Sequence, residues 1–319
     1  PGVMLGERYT PLDRVAAYIP GGSAPLVSTV LHTLTFAQVA GVPERVLTTP
    51  PSPDGQVNPA ILHAAELTGV SEVYRLGGVY GVAAMAYGTA TIRPVQKIVG
   101  PGNAYVTAAK RQVYGQVSLD LVAGPSEVAI IADASGRADW IAADILAQAE
   151  HGSGHEQAVL FSSHEPLLAA VAAELTRQTA LLPKADCITR VLERGVYLIG
   201  VRDLAQATEL ASAYAPEHLE IHTHDPEAVA SQISAAGAIF LGPWTPEPVG
   251  DFVAGPSHVL PTGGAAKFLS GLTVSHFYRR QSLVRYDREA LAREAWAVTE
   301  FSAMEQLQAH GDSVRIRGV

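Results

Sequence analysis

Cysteine is almost absent from this sequence, because Cys187 is the single one among 319 residues. One cysteine excludes an internal disulfide bond, and it excludes any zinc site that is built on several cysteine ligands. The near absence of cysteine also fits a reducing compartment, so we expect the protein to be cytoplasmic.

An excess of basic charge and long apolar runs are missing as well. The chain has 22 lysine and arginine residues against 31 aspartate and glutamate residues, and its net charge is −9. No basic cluster stands out, which argues against a partner with a phosphate backbone. No apolar run reaches the roughly 18 residues that a membrane-spanning helix requires. We therefore expect neither nucleic acid nor a membrane as a partner.

Two common enzyme fingerprints are also missing. The dinucleotide pattern G-x-G-x-x-G does not occur, and "GPGNAYV" (100–106) is only a weak candidate for a turn whose backbone amides hold a phosphate. The nucleophile pattern G-x-S-x-G does not occur either, which argues against hydrolysis through Ser126. In the turn "AGPS", Ser126 either donates a hydrogen bond to a substrate or simply caps the turn.

What the chain does have is a regular alternation of short apolar runs and helix-length segments. This alternation predicts an α/β fold of two Rossmann-like domains with mostly parallel sheets, followed by a helical C-terminal tail. We place the domains at 1–125, 126–272 and 273–319, and topology makes the first a candidate for nucleotide binding. Two such domains normally hold a ligand between them at the carboxyl edges of their strands. "NPAILHAAELTGV" illustrates the helices, with Asn58 as the N-cap and Pro59 in the first turn.

The stretch "YAPEHLEI" places two acid–base side chains, Glu217 and His218, next to each other. Neighbouring residues of a straight strand point to opposite faces, so they would not share one pocket. Pro216 disfavours a helical conformation at Ala215 and indicates a turn or an extended entry to the pair.

Several other polar residues allow either a metal site or an ordinary structural role. Gln148 and His151 lie three apart on a predicted helix 138–151 and share a face, but His151 also suits a helix end capped by Gly152. In the turn-rich "VGDFVAGPSHVLPTGG", Asp251 and His258 are either site residues or an Asx-turn acid and a loop histidine. Glu305 and His310, five apart, would diverge on one helix and would then belong to a solvated tail.

Taken in order, seven stretches resemble the histidinol dehydrogenase family, and the similarity runs from Gly2 to Arg317. Seven motifs at compatible spacing are far more specific than any one of them. They are "YIPGGSAP", "GPGNAYVTAAKRQV", "DLVAGPSEV", "DILAQAEHG", "YAPEHLEI", "GDFVAGPSHVLPTGG" and "LQAH". The resemblance implies a zinc-dependent homodimeric enzyme that oxidises L-histidinol to L-histidine through two hydride transfers to NAD.

The resemblance also implies roles for individual residues. Glu217 would activate water and His218 would take the alcohol and hydrate protons. The C-terminal tail would reach the partner subunit's site, so Glu305 and His310 would act across the dimer. The implied zinc ligands, which also contact the substrate, are Gln148, His151, Asp251 and His310. The other implied substrate contacts are Ser126, His258 and Glu305, and the implied NAD contacts are Tyr18, Asn103 and the position of Tyr80.

Two departures from the family pattern leave alternatives open. The segment that usually precedes "PGV" is missing from this sequence, and Tyr80 stands where the family has an NAD-contacting glutamine. The resemblance therefore also allows a paralogue that oxidises another polar alcohol, such as a sulfonated diol, or a non-catalytic zinc-binding remnant. Complete retention of the implied ligand and base set argues against the remnant.

Overall fold

The computed structural model describes residues 2–21, 25–122, 124–151 and 153–319. The chain forms a large unit, Leu12–Phe277, and a smaller terminal unit in which Pro1–Pro11 joins Tyr278–Val319. The expected helix cap at Gly152 lies outside the described residues.

The strands carry the labels used below, in chain order. They are β1 (Val3–Pro11), β2 (Arg14–Tyr18), β3 (Glu44–Thr49), β4 (Glu72–Arg75), β5 (Lys97–Val99), β6 (Ser118–Leu119), β7 (Glu127–Ala132), β8 (Gln157–Ser162), β9 (Val196–Gly200), β10 (His218–His222), β11 (Ala238–Leu241) and β12 (Tyr278–Tyr286).

The α-helices are labelled in the same way. They are α1 (Val27–Val39), α2 (Pro59–Leu67), α3 (Gly78–Tyr87), α4 (Ala104–Val113), α5 (Ala138–Ala149), α6 (Glu165–Thr179), α7 (Ala185–Gly195), α8 (Leu204–Tyr214), α9 (Pro226–Ala230), α10 (Glu247–Phe252), α11 (Arg288–Met304) and α12 (Gln308–Arg315).

The large unit contains two five-stranded parallel sheets with the same topology. The first has the spatial order β4-β3-β2-β5-β6 and the second β9-β8-β7-β10-β11. Counted within its own segment, each sheet therefore reads 3-2-1-4-5, which is the order of a doubly wound nucleotide-binding fold. The prediction of two Rossmann-like domains with mostly parallel sheets is confirmed. The boundary that we place after residue 125 falls between β6 and β7.

Both faces of the second sheet are buried, and the strand period explains how. On β7, Val128 and Ile130 belong to one apolar cluster, which also contains residues of α5, α6 and α7. Ala129 and Ile131 belong to the cluster on the opposite face, with residues of α8. Because successive side chains of a strand point to opposite faces, a continuous apolar run fits a strand covered on both sides.

The helix ends follow local capping chemistry. The Asn58 side chain accepts a hydrogen bond from the Ala60 backbone N–H, and Pro59 occupies the first helical position of α2, as predicted. Helix α5 ends at Ala149, two residues before the predicted end.

The terminal unit pairs β1 with β12 in an antiparallel ribbon, in register from Val3 opposite Tyr286 to Pro11 opposite Tyr278. The helical tail is confirmed from Arg288 onward by α11 and α12. Strand β12 was not predicted, because "YRRQSLVRY" is charged and largely exposed and lacks the apolar alternation of a half-buried strand. Among the described residues, no helix is both long and apolar enough to cross a membrane.

Candidate active site

The chain bends sharply before β10, and the bend turns Glu217 and His218 to the same side. Helix α8 ends at Tyr214, and Ala215 adopts a left-handed conformation with φ of 55°. Glu217 then precedes the strand, and its Oε2 lies 3.7 Å from Nδ1 of His218. Two adjacent residues can face one pocket here because only the second of them belongs to the strand.

His218 presents an unprotonated nitrogen to the interior of the site. Its Nδ1 lies 3.2 Å from the Glu127 carbonyl oxygen. A carbonyl can only accept, so Nδ1 carries the proton and Nε2 keeps its lone pair. Within the described part of the chain, Nε2 is buried without a hydrogen-bond partner, 3.6 Å from Oε1 of Glu247. Burial lowers the pKa of His218 to about 4, so the ring is neutral at pH 7.

Glu217 is held by the residues that open β7. Its Oε2 accepts a hydrogen bond from the Glu127 backbone N–H at 3.1 Å, and the Ser126 side chain also hydrogen-bonds to it. Glu217 is 6% exposed, and this burial raises the pKa of its carboxyl well above the ordinary value. Ser126 therefore contacts Glu217, and its contact with a substrate stays a prediction.

Gln148 carries the most unusual buried group of the site. The residue is 1% exposed, and neither its amide oxygen nor its amide nitrogen has a hydrogen-bond partner among the described residues. Buried amides are almost always hydrogen-bonded, so such a group indicates a place where a ligand binds. His151 follows just past the end of α5, and its Nδ1 lies 3.1 Å from the Gln148 carbonyl oxygen. Nδ1 therefore donates its proton there, which leaves Nε2 able to coordinate.

Helix α10 supplies Asp251 and, one turn earlier, Glu247. One ligand atom each from His218, Glu247 and Asp251 lie within 4.8 Å of one another. Burial, together with the negative charge of Asp251, raises the pKa of Glu247 to about 9. His151 and Asp251 both influence the pKa of His218, which locates all three in one electrostatic neighbourhood.

His258 connects this neighbourhood to α1 of the first sheet. Its ring stacks on that of His32 with centroids 4.3 Å apart, and its Nε2 lies 3.1 Å from Oγ1 of Thr29. Its Nδ1 lies 3.2 Å from the Asp251 carbonyl oxygen. Both ring nitrogens are thus engaged, so a substrate that contacts Nε2 has to replace Thr29. Burial lowers the pKa of His258 to about 4.

The position of these residues on the second sheet differs from our expectation. We expected ligands at the carboxyl edges of the strands, but Glu217 and His218 stand at the amino end of β10, and Ser126 precedes the amino end of β7. The predicted catalytic residues therefore lie at the edge of this sheet opposite the one that we expected. Helices run back antiparallel to their strands, so the last turn of α5, with Gln148, reaches the same amino edge.

The predicted cofactor residues lie at the carboxyl edge of the first sheet. Tyr18 ends β2 and accepts a hydrogen bond from the Gly78 N–H at 3.0 Å. Asn103 follows β5 and caps α4 through Oδ1, which accepts from two backbone N–H groups. Tyr80 lies in the first turn of α3 and is 75% exposed. Gly100 has φ of 104°, and a Cβ there would collide with the Tyr18 carbonyl oxygen, so this close approach requires glycine.

Glu305 and His310 belong to the terminal unit, where both are exposed. Helix α11 ends at Met304 and Gln306 has φ of 58°, so the two residues do not share one helix as we had assumed. The break brings both of them to one groove of about 290 Å³, which Phe301 and Leu307 also line.

Sequence reasoning missed Glu127, Glu220 and Glu247. Glu127 joins the site through its backbone, whose N–H and carbonyl bind Glu217 and His218, and no sequence pattern signals such a role. Glu247 precedes Asp251 by four residues, so the helical period could have linked them. Glu220 stands between two histidines at alternate positions of a fully buried strand, and three polar residues on one buried face are a readable signal.

Comparison with known proteins gives a consistent family. The sequence model of the family described as histidinol dehydrogenase matches residues 1–318. Histidinol dehydrogenase of Nitrobacter winogradskyi is 51% identical over 316 residues, which is 99% of this chain and 73% of that protein. The Rhizobium meliloti enzyme of the same name is 50% identical, over 99% of this chain and 72% of that protein.

Solved structures agree with the sequence comparison. The crystal structure of histidinol dehydrogenase from Elizabethkingia anophelis superposes with a TM-score of 0.95 at 36% identity, over 99% of this chain and 73% of that one. An acetylating aldehyde dehydrogenase from Geobacillus thermoglucosidasius has a TM-score of 0.61 at 18% identity, over 89% of this chain and 77% of that one. This second likeness concerns the fold alone.

Proposed function

Because the chain belongs to the histidinol dehydrogenase family, we propose that it oxidises L-histidinol to L-histidine through L-histidinal, with zinc and two molecules of NAD. These are the last steps of histidine biosynthesis. One observation carries the proposal. In the described part of the large unit, Nε2 of the neutral His218 ring has no hydrogen-bond partner, and His218, Asp251 and Glu247 lie close together.

Zinc fits the residues that the resemblance names. Gln148 offers a buried amide oxygen that nothing in the described residues binds, His151 offers Nε2, and Asp251 offers a carboxylate. Mixed nitrogen and oxygen donors suit zinc, and a fourth donor from the partner subunit's His310 would complete the set. When bound, zinc would hold and orient the amino alcohol, and NAD would accept the hydride.

His218 is the proposed base for the alcohol. Oxidation of an alcohol removes one hydride from carbon and one proton from oxygen. Nε2 of His218 has the lone pair for that proton, and the Glu127 carbonyl fixes the tautomer through Nδ1. The low pKa keeps Nε2 free of a proton before the substrate binds. The same atom would take the proton of the hydrated aldehyde in the second oxidation.

Glu217 is the proposed base for water. The aldehyde has to add water before a second hydride can leave, and a carboxylate that removes a proton from water promotes this addition. A raised pKa makes the ionised carboxylate of Glu217 a stronger base than an ordinary glutamate. The Glu127 N–H and the Ser126 side chain orient it beside His218.

The dinucleotide would lie along the carboxyl edge of the first sheet. Tyr18 and Asn103 flank the point between β2 and β5 where the strand order reverses, which is where such folds bind nucleotides. Tyr80, which is exposed in the first turn of α3, would contact the cofactor through its ring or hydroxyl. His258 would bind the substrate beside Asp251.

We also propose how the chain is divided into domains and how two chains assemble. We keep the division into a cofactor domain at 1–125, a substrate domain at 126–272 and a tail at 273–319. Glu305 and His310, which share one groove of the terminal unit, would complete the site of the partner subunit in a homodimer. The protein would work in the cytoplasm.

The experiment that tests this function compares initial rates of NADH formation with L-histidinol and with a panel of other polar alcohols, including a sulfonated diol. Zinc-loaded protein should be fastest with L-histidinol, and a chelator should abolish the rate. His218→Asn should lower kcat by about 10²–10⁴-fold while zinc stays bound. Faster oxidation of another alcohol would refute the substrate, and bound zinc without turnover would refute the enzyme.

A further inference from the structure

A second polar cluster lies buried next to the site, and none of the proposed steps uses it. It consists of Asp144, Glu220 and His222, which are 8%, 0% and 2% exposed. One polar atom from each of the three lies within 4.8 Å of the others. Burying polar groups is costly unless they are hydrogen-bonded or paired with one another.

Residues of the cluster and residues of the site lie next to each other on the same elements. Glu220 follows His218 by two residues on β10, so both side chains lie on one face of the strand. Asp144 precedes Gln148 by four residues on α5, which places both on one face of that helix. Strand β10, helix α5 and helix α10, which carry His218, Gln148 and Asp251, therefore all contact the buried cluster.

Glu220 makes the contacts that connect these elements. Its Oε1 accepts a hydrogen bond from the backbone N–H of Glu247, the first residue of α10, at 2.7 Å. Its Oε2 lies 3.2 Å from Nε2 of His222. It is also hydrogen-bonded to Asp144, whose pKa burial and the negative charge of Glu220 raise to about 8, so that Asp144 donates the proton.

We propose that Glu220 is a positioning residue of the active site: it joins the start of α10 to α5 and thereby fixes Asp251 relative to Gln148. This inference rests on the proposed function, in which those two residues hold zinc. Helix α10 spans only six residues, so the hydrogen bond at its first residue governs where Asp251 lies. Mutation of a residue that orients a metal ligand without binding the metal typically weakens metal affinity by about 10–100-fold.

Two substitutions of similar size separate positioning from packing. Glu220→Gln keeps an oxygen for the Glu247 N–H and an amide that donates to Asp144. Glu220→Leu fills the space but removes every hydrogen bond. We expect Glu220→Leu to weaken zinc binding by about 10–100-fold, measured by competition with a chromophoric chelator, and Glu220→Gln to stay near the wild-type value. Equal zinc affinity of the two variants would overturn the inference.

A core variant and two variants at Asp144 separate a loss of stability from a loss of positioning. Val171→Ala, which thins the apolar core at α6 and leaves the hydrogen bonds of the cluster in place, should lower the melting temperature without changing zinc affinity. If Glu220→Leu does not fold, Asp144→Ala removes the α5 contact alone and should weaken zinc binding, while Asp144→Asn should not. Unchanged zinc affinity in Asp144→Ala would then refute the inference.

The failure of the inference is distinguishable from failure of the proposed function. Wild-type protein that neither binds zinc nor oxidises L-histidinol refutes the function. Wild-type protein that does both, with Glu220→Leu at the same zinc affinity, kcat and KM, refutes only the positioning role. If Glu220 has the positioning role, Glu220→Leu at saturating zinc should lower kcat by a larger factor than it raises KM, because a displaced Asp251 misorients the substrate.

Discussion

Replacing Gln148 by methionine should stabilise the metal-free protein and weaken its binding of zinc. Gln148 is 1% exposed, and both polar atoms of its amide lack a hydrogen-bond partner within the described ranges. Methionine has a similar length and volume but contains no group that must be hydrogen-bonded. The substitution should therefore raise stability and lower zinc affinity. A glutamine that served only to stabilise the fold would not give these two opposite effects.

The size of the stabilisation follows from the cost of an unsatisfied buried group, about 1–3 kcal/mol. Removing that cost raises the free energy of unfolding by the same amount. For a domain of this size, about 1 kcal/mol corresponds to a rise of roughly 2–4 °C in the melting temperature. Loss of a direct ligand should weaken zinc binding by more than ~100-fold, which exceeds the effect typical of a residue that only orients a ligand.

Thermal unfolding in the presence of a chelator measures the first effect, and chelator competition measures the second. Gln178→Met is the matched control, because the Gln178 amide donates to the Asp139 carbonyl and to Glu174. This control should lower the melting temperature slightly and leave zinc affinity unchanged. If metal-free Gln148→Met is instead less stable than wild type, the Gln148 amide is satisfied within the protein and the reasoning fails.

Three further predictions concern the base, the buried acid and the cofactor. Glu217→Gln should lower the rate with L-histidinal by about 10²–10⁴-fold in an NADH assay but affect aldehyde formation from L-histidinol much less; equal losses would contradict its role with water. Because the folded-state pKa of Asp144 is raised to about 8 from an ordinary ~3.9, its contribution to stability is present below pH 4 and lost as pH rises to about 8. Asp144→Asn should therefore flatten the fall in unfolding free energy over that range, and an unchanged slope would refute the raised pKa. Tyr80→Gln should lower KM for NAD and leave kcat unchanged, and a KM equal to that of wild type would remove Tyr80 from the cofactor site.

The sequence predicted the architecture because each domain repeats the same local pattern. Apolar strands alternate with capped helices, and the cap at Asn58 was readable from three adjacent residues. The strand β12 was not readable, since its charged residues carry no apolar period and its pairing partner β1 lies at the opposite end of the chain.

The site was predictable only in part, for a geometric reason. Residue spacing suggested Gln148 with His151, but the amino-edge location of the site follows from the direction in which α5 returns. The bend at Ala215, a left-handed residue that is not glycine, is set by tertiary packing and left no signal beyond the neighbouring proline. Glu247 contacts His218 across 29 positions of sequence, so only the folded chain reveals that contact.

The most direct test of the account is the amount of NADH formed for each L-histidinol consumed. Zinc-loaded wild-type protein with excess NAD is allowed to exhaust a known quantity of L-histidinol, and NADH and L-histidine are then measured. Because one site with His218 and Glu217 would carry out both oxidations, we expect two NADH and one L-histidine for each L-histidinol. A yield of one NADH with accumulated aldehyde, or no NADH, would contradict the account.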